Sequence, residues 1–415
     1  MRKSITFIVV ALMLLVIAVG CTPADAPADA PADAPADAPA DAPADAPADG
    51  AKTNLEMSLE GDAKIGALVA LDGQPLVYEG FVKEFPERPA DPEALGEFEA
   101  GRYYDLEFAG WSTKKTNIPD SPADGSIGKK VIMIIHGEHA YYSAYVRGCQ
   151  TIADVYGIEF EVLWPNWDLT TQNQMIDQAI NEQPDMIILL PLDTEAGLIQ
   201  CKKINEAGIP LIVAHQLVVE EALQYAICWT GPDEWAPRRV LAEMIAEKTG
   251  GTGGYAILTH NAGSSTYFSR AYGYITKLAE IAPGMELLDL QAPGLDAEAS
   301  KQMASDWIKL YGDDLKVIIT AGVSNQGVGV VEAVAAAGKE DDILIYGAGN
   351  SKIGNDMVKD GSTVAMNYEP PEACGATALK VAADWFNGKD IPSAVYLPAV
   401  VIDLFNVDDF YPAQW

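Results

Sequence analysis

Residues 129–148 read KKVIMIIHGEHAYYSAYVRG, and this stretch indicates how most of the chain is built. Residues 131–135 are all apolar, and a helical pattern follows from about residue 140. A short, unbroken apolar run is typical of a strand in a parallel sheet, because helices cover such a sheet on both faces. The stretch therefore predicts a buried strand followed by a helix.

The same unit recurs along the chain as far as about residue 350. Further buried strands are predicted in PDMIILLPLD (184–193), IPLIVAHQ (209–216), GYAILTH (254–260), LKVIITAG (315–322) and DDILIYGAGN (341–350). Apolar strands that alternate with amphipathic helices form doubly wound parallel sheets. The number and spacing of the units predict an α/β protein with two Rossmann-like, parallel-sheet lobes of about five strands each. In such sheets, ligands bind outside the carboxyl ends of the strands.

The first 50 residues carry features of export and anchoring. Residues 1–20 have a basic start, an apolar run and small residues before Cys21, which predicts a signal peptide. The position of Cys21 resembles the bacterial lipoprotein signal, which makes it the predicted lipidation site; an uncleaved membrane helix is the alternative. Pro-Ala-Asp repeats in residues 21–50 predict a disordered, extended linker. Residues 51–128 form an N-terminal extension to which the sequence assigns no role.

The charge and the cysteines exclude some classes of function. The formal net charge is −33 at pH 7, and no block of basic residues is present, so nucleic acid is not an expected partner. The four cysteines other than Cys21 show no CxxC spacing and are predicted to be small buried thiols.

All four histidines follow predicted strands, at the edge of the sheet where ligands bind: His136, His139, His215 and His260. The first two do not form HExxH on a helix, which favours side chains that line a cleft over a metal site. Ordinary polar residues at the starts of loops are a further alternative. The segment GVSNQG (322–327) lacks the second glycine of a nucleophile elbow. No catalytic residue, metal or cofactor is therefore predicted.

The order of these segments resembles the periplasmic sugar-binding proteins of the ribose-binding type, which are the solute receptors of ABC importers. The resemblance spans about residues 130–405. It rests on AYYSAYVRGCQTIADVYGIEFEVL, IPLIVAHQ, TGPDEWAPRRVLAEMIAE, GSSTYFSRAYGY and AVAAAGKEDDILIYGAGN. It implies two lobes that are joined by a three-segment hinge and close on a ligand in the cleft. The implied N-terminal lobe is 129–232 plus 370–398, and the implied C-terminal lobe is 233–369 plus 399–415.

The resemblance also implies a set of ligand-binding residues: His139, Tyr141, Tyr142, His215, Gln216, Arg270, Ser324, Asn350 and Glu369. Arg270 is the expected main hydrogen-bond donor to the ligand. Its replacement by alanine, or that of Tyr142, is expected to weaken binding and to leave the melting temperature of the empty protein largely unchanged. The family's aspartates are absent at His215, Ser324 and Gly349, so the ligand need not be ribose or galactose.

The function implied by the resemblance is that of an extracytoplasmic, lipid-anchored receptor. It would capture a sugar, a polyol or a sugar derivative and deliver it to the permease of an ABC importer, facing the periplasm or the cell exterior. Two alternatives remain at this point. One is a ligand sensor that feeds a membrane signalling protein, and the other is a metal-dependent exported enzyme.

Overall fold

A computed structural model describes residues 52–81, 83–110 and 113–415. The predicted signal peptide (1–20), the lipidation site Cys21 and the linker (21–50) lie outside these described residues.

Strands and helices alternate over most of the described chain. The strands are, in chain order, β1 (Lys130–Ile134), β2 (Glu159–Leu163), β3 (Met186–Leu189), β4 (Leu211–Ala214), β5 (Cys228–Pro232), β6 (Thr252–Leu258), β7 (Gly284–Gln291), β8 (Leu315–Thr320), β9 (Leu344–Ala348), β10 (Ala365–Asn367), β11 (Ala394–Leu397) and β12 (Val401–Asp403). The α-helices are α1 (Asn54–Leu59), α2 (Asp62–Ile65), α3 (Tyr104–Glu107), α4 (Ala140–Tyr156), α5 (Leu169–Glu182), α6 (Ala196–Glu206), α7 (Ala236–Thr249), α8 (Ser265–Ile281), α9 (Ala297–Tyr311), α10 (Val328–Ala337), α11 (Lys352–Lys359) and α12 (Pro371–Phe386).

These strands form two sheets, each the centre of one lobe. The first has the order β11-β5-β4-β3-β1-β2 and is parallel throughout, and the second has the order β12-β10-β9-β8-β6-β7. The residues of β3 and β4 are almost completely buried because helices cover both faces of the sheet. The predicted fold class, two doubly wound α/β lobes, is confirmed.

Each sheet has six strands in the described residues, where the sequence predicted about five. The strands for which the sequence showed no segment are β5, β7, β10, β11 (AVYL) and β12 (VID), and β12 pairs antiparallel with β10. β11 and β12 do not belong to a strand–helix unit of the kind that repeats in the sequence, so only their pairing partners identify them as strands.

The chain passes between the two lobes three times. The crossings lie between β5 and α7, between β10 and α12, and between β11 and β12. This arrangement agrees with the predicted three-segment hinge. The four described cysteines, Cys149, Cys201, Cys228 and Cys374, are free and buried, which confirms that prediction.

The N-terminal extension packs on both lobes. Asp62 accepts hydrogen bonds from Tyr156 and Lys389 of the first lobe. Further along, the Glu107 carboxylate pairs with Arg239 of the second lobe. The backbone oxygen of Glu107 accepts a hydrogen bond from the Tyr396 hydroxyl of the first lobe. The extension therefore bridges the lobes on the side where the chain crosses. In the part of the chain that the structure describes, no helix is both long and apolar enough to cross a membrane.

Candidate ligand cavity

A cavity of about 220 Å³ lies between the two lobes, where the carboxyl ends of the strands of both sheets face each other. It is lined by His139, Tyr141, Tyr142, Trp167, His215, Gln216, His260, Thr266, Arg270, Leu295, Gly322, Ser324, Asn325, Ala348, Gly349, Glu369 and Trp415. The loops after β1, β2 and β4 supply one wall, and the loops after β6, β8 and β9 supply the opposite wall.

The structure brings almost all of the predicted ligand residues together at this cavity. The exception is Asn350, which is completely buried and does not line it. The Asn350 Oδ1 atom accepts a hydrogen bond from the backbone N–H of Glu369, at 2.9 Å. Asn350 is therefore placed to support the second crossing, on which Glu369 stands.

Aromatic rings form much of the wall on the side of the first lobe. His139 caps α4, and its Nδ1 atom accepts a hydrogen bond from the Tyr141 N–H at 3.1 Å, which fixes the start of that helix. The ring centroids of Tyr141 and Trp415 are 5.5 Å apart, and the ring centroids of Tyr142 and Trp167 are 5.6 Å apart. Such faces pack against the C–H side of a ring or polyol ligand.

The histidines at this edge are uncharged at neutral pH. Burial lowers the pKa of His215 to about 4 and the pKa of His260 to about 3. His136 lies behind the wall, where it contacts the Tyr142 hydroxyl and the Pro191 carbonyl oxygen, and burial lowers its pKa to about 3. Among the described residues, no group of three or more His, Cys, Asp or Glu is arranged to hold a metal ion.

The charged groups at the cavity belong to a buried network of four ionised side chains. Arg238, which is completely buried, contacts Glu234 and Glu369, each at 2.8 Å. Arg270 contacts Glu369 at 2.8 Å and Glu234 at 3.4 Å. Burial acts to raise the pKa of Glu369, but Arg270 and Arg238 together hold it below the usual value. Two positive and two negative charges balance, so the network brings no net charge to the cavity.

This network changes the role expected for Arg270. Its Nη1 donates to the Ala321 carbonyl oxygen at 2.6 Å, and its other donor groups face Glu234 and Glu369. Protein acceptors therefore occupy much of its donor capacity. In the described structure, the His215 Nδ1 and Trp415 Nε1 atoms, which belong to residues that line the cavity, are buried without a hydrogen-bond partner.

Sequence reasoning missed several lining residues, of which two tryptophans are the largest. Trp167 follows β2, so the argument that placed the histidines at strand ends would have found it. Asn166 and Trp167 both adopt positive φ angles, 52° and 64°, and the Trp167 ring lies against Gly137. No local pattern indicates Trp415, because the tail reaches the cavity only through tertiary contacts.

Comparisons with a family model and with known proteins agree on one family. Residues 129–390 match the family model described as the periplasmic binding protein domain. A xylitol-binding protein of Mycolicibacterium smegmatis is 24% identical over 288 residues, which are 69% of this chain and 80% of that protein. A D-ribose/D-allose-binding protein of Pseudomonas aeruginosa is 26% identical over 201 residues, 48% of this chain and 62% of that protein.

Solved structures share the fold. An ABC transporter solute-binding protein of Bacillus halodurans with bound myo-inositol has a TM-score of 0.63 and 22% identity, covering 70% of this chain and 99% of that chain. A corresponding protein of Actinobacillus succinogenes with bound D-allose has a TM-score of 0.62 and 22% identity, covering 68% and 99%. The family match begins at residue 129, so the N-terminal extension lies outside it.

Proposed function

The chain belongs to the periplasmic binding protein family, and on that premise we propose that it is a receptor for a small, uncharged, polyhydroxylated ligand. The ligand is a sugar, a polyol or a sugar derivative, and the receptor delivers it to the permease subunits of an ABC importer. Relatives named for xylitol and for ribose and allose support this ligand class. The family is a class of non-enzymatic solute-binding proteins and implies a periplasmic location.

The observation that carries the proposal is the composition of the cavity between the lobes. Aromatic rings on one wall offer apolar faces, while Gln216, Ser324 and Asn325 offer groups that both donate and accept hydrogen bonds. The buried network has no net charge, and the histidines are neutral. A charged ligand would lose its hydration without gaining a counter-charge, whereas a neutral polyol can exchange its hydrogen bonds with water for bonds to the walls.

The three crossings form a hinge, and closure of this hinge would let a transporter recognise the ligand-bound receptor. A ligand that contacts both walls stabilises the arrangement in which the lobes are closed, because it binds that arrangement more tightly than the open one. Hinge closure around a ligand is a common movement of two-lobed proteins. A permease that recognises both lobes in the closed arrangement would then select the loaded receptor.

A ligand screen with the purified protein tests this proposal. Xylitol, D-ribose, D-allose and myo-inositol are compared with D-gluconate and D-glucosamine by thermal shift and then by calorimetry. We expect at least one neutral compound to raise the melting temperature in a saturable way, since a ligand at 100 times its Kd adds about 2.7 kcal/mol to stability. The charged compounds should give no shift. Binding of only charged compounds, or of none, would contradict the proposal.

Trp167→Ala separates ligand contact from stability. The Trp167 side chain lines the cavity but is 54% exposed, so its loss should raise the Kd of the bound compound by about tenfold or more without changing the melting temperature of the empty protein. Phe405→Ala is the matched control, because Phe405 is 95% exposed and does not line the cavity. Equal affinities for the two variants would exclude Trp167 from the ligand site.

We also propose that the chain is lipid-anchored through Cys21 after removal of residues 1–20. The sequence before Cys21 supports this, and the linker that follows would hold the receptor away from the membrane. Mass spectrometry of the mature protein should find a diacylglyceryl group on an N-terminal Cys21, and Cys21→Ser should remove it. A mature protein that begins at another residue, or an unmodified Cys21, would contradict the anchor.

A further inference from the structure

The N-terminal extension reaches the ligand cavity indirectly, through the end of the chain. Asp72, in the extension, is only 3% exposed. Its Oδ2 atom accepts hydrogen bonds from the Gln414 Nε2 atom and from the Tyr368 hydroxyl, both at 2.8 Å. Gln414 directly precedes Trp415, whose ring lines the cavity, and Tyr368 directly precedes Glu369 of the buried network. A single carboxylate thus contacts two segments that each supply a side chain to the cavity.

Further contacts hold the tail between the two lobes. The Gln414 Oε1 atom accepts a hydrogen bond from the Glu372 N–H at 3.0 Å, and the Gln414 carbonyl oxygen accepts one from Arg147 of α4 at 2.7 Å. The Trp415 carbonyl oxygen accepts one from the Lys352 N–H, at the start of α11, at 2.8 Å. The described tail after residue 410 contains no helix or strand, so these bonds, together with the packing of the Trp415 ring against His139 and Tyr141, set where the ring lies.

A second pair of contacts ties the extension to the helix that carries the aromatic wall. The Glu372 Oε2 atom accepts a hydrogen bond from the Leu71 N–H at 2.8 Å. The Glu372 Oε1 atom accepts two hydrogen bonds from the Arg147 guanidinium group, of which the shorter is 2.7 Å. Arg147 lies on α4, whose first turn presents Tyr141 and Tyr142. The turn around residues 71–72 therefore contacts the second crossing, α12 and the tail, and it is linked to α4 through Glu372.

We propose that Asp72 is a positioning residue for the ligand site: through Gln414 it holds the Trp415 ring against His139 and Tyr141. The effect of Asp72 on ligand affinity rests on the binding function proposed above. The rings of Trp415 and His139 are 5.6 Å apart, so the indole closes one side of the cavity. Because residues 71–72 lie outside the family match, a segment added to the family domain adjusts the ligand site of this chain.

The first arm of the test needs no ligand. The full protein is labelled with 5-fluorotryptophan, and the ¹⁹F resonance of Trp415 is assigned by its loss in Trp415→Phe. Asp72→Ala should shift or broaden that resonance. Gln414→Met, which removes the side-chain amide bonded to Asp72 without altering the extension, should give the same change. An unchanged Trp415 resonance in both variants would overturn the proposal.

The second arm measures affinity for xylitol, D-ribose, D-allose and myo-inositol by calorimetry. For each compound that binds the parent protein, Asp72→Ala should raise the Kd about tenfold. In a Trp415→Ala background the same substitution should change the Kd less than twofold, because the ring that Asp72 positions is already absent. An equal loss in both backgrounds would mean that Asp72 acts through Tyr368 or on general stability, and not through Trp415, and would overturn the proposal.

Asp62→Asn is the matched control in the same extension. Among the described residues, Asp62 pairs with groups of the first lobe, Tyr156, Lys389 and Lys380, so its replacement should lower stability without moving the Trp415 resonance or the Kd. A shift of that resonance in Asp62→Asn equal to that in Asp72→Ala would overturn the specific role of Asp72. If none of the four compounds binds the parent protein, the proposed function fails on this panel, and the fluorine measurement alone decides the positioning role.

Discussion

Replacing Glu369 with glutamine is expected to lower the free energy of unfolding of the ligand-free protein by about 3–5 kcal/mol. Glu369 stands between Arg238 and Arg270, and its Oε1 atom lies 2.8 Å from a nitrogen of each. Glutamine keeps the shape of the side chain but removes its charge. Two guanidinium groups would then share Glu234 as their only anion in the network, and Arg238 is completely buried. Chemical denaturation of both proteins without ligand measures the difference.

The control for this substitution is Glu332→Gln. Glu332 pairs with Lys301 at 2.8 Å, but their side chains are 55% and 39% exposed. An exposed pair of this kind contributes at most about 1 kcal/mol, because water screens it. If Glu369→Gln were as stable as Glu332→Gln, the four charges would not form a cooperative network, and the account of the cavity as electrically balanced would be wrong.

The network also revises what the sequence predicted for alanine substitutions. Arg270→Ala was expected to leave the empty protein intact, but the Arg270 side chain contacts Glu369 and the Ala321 carbonyl oxygen inside the protein. Tyr142 is 5% exposed and contacts His136, so Tyr142→Ala would open a cavity in the core. Both substitutions should therefore destabilise the protein, and neither isolates ligand contact as Trp167→Ala does.

The parts of the structure that the sequence predicted well are those set by local patterns. An apolar run fixes where a strand ends, and in a parallel sheet all strand ends meet at one edge. His139 and His215 could therefore be placed together although 75 intervening residues separate them in the chain. The resemblance to sugar-binding proteins added Arg270 and Glu369, which lie on α8 and on the second crossing.

What the sequence did not predict depends on partners that are distant in the chain. Glu234 and Arg238 are four residues apart, a spacing that is also typical of an exposed helix pair. Only their burial against Arg270 and Glu369 makes them part of the site. The extension shows no hydrophobic periodicity, and the apolar side chains, ion pairs and hydrogen bonds that hold it in place fit surfaces formed by the two lobes.

Replacing Gly148 with alanine is expected to destabilise the protein by more than about 3 kcal/mol, and to disturb the ligand cavity as well. Gly148 of α4 faces α12, and a Cβ atom added to it would lie 1.9 Å from the Glu372 carbonyl oxygen. Gly375 of α12 is its counterpart, since an added Cβ atom would lie 2.0 Å from the Tyr145 carbonyl oxygen. The two helices would have to separate by about 1 Å or more to remove either overlap. Denaturation and calorimetry measure the two effects.

Both stability and ligand binding should change, because α4 and α12 pack together in the first lobe and also position residues of the ligand cavity. The first turn of α4 carries Tyr141 and Tyr142, and α12 begins just after Glu369, so a separation of the helices moves both the aromatic wall and the second crossing. Gly66→Ala is the control, because its φ is −62° and an added Cβ atom meets nothing within 4 Å. Gly148→Ala and Gly375→Ala should be less than additive when combined, since one separation relieves both overlaps. Full additivity, or a stable Gly148→Ala protein, would mean that the close contact between α4 and α12 does not hold the wall in place.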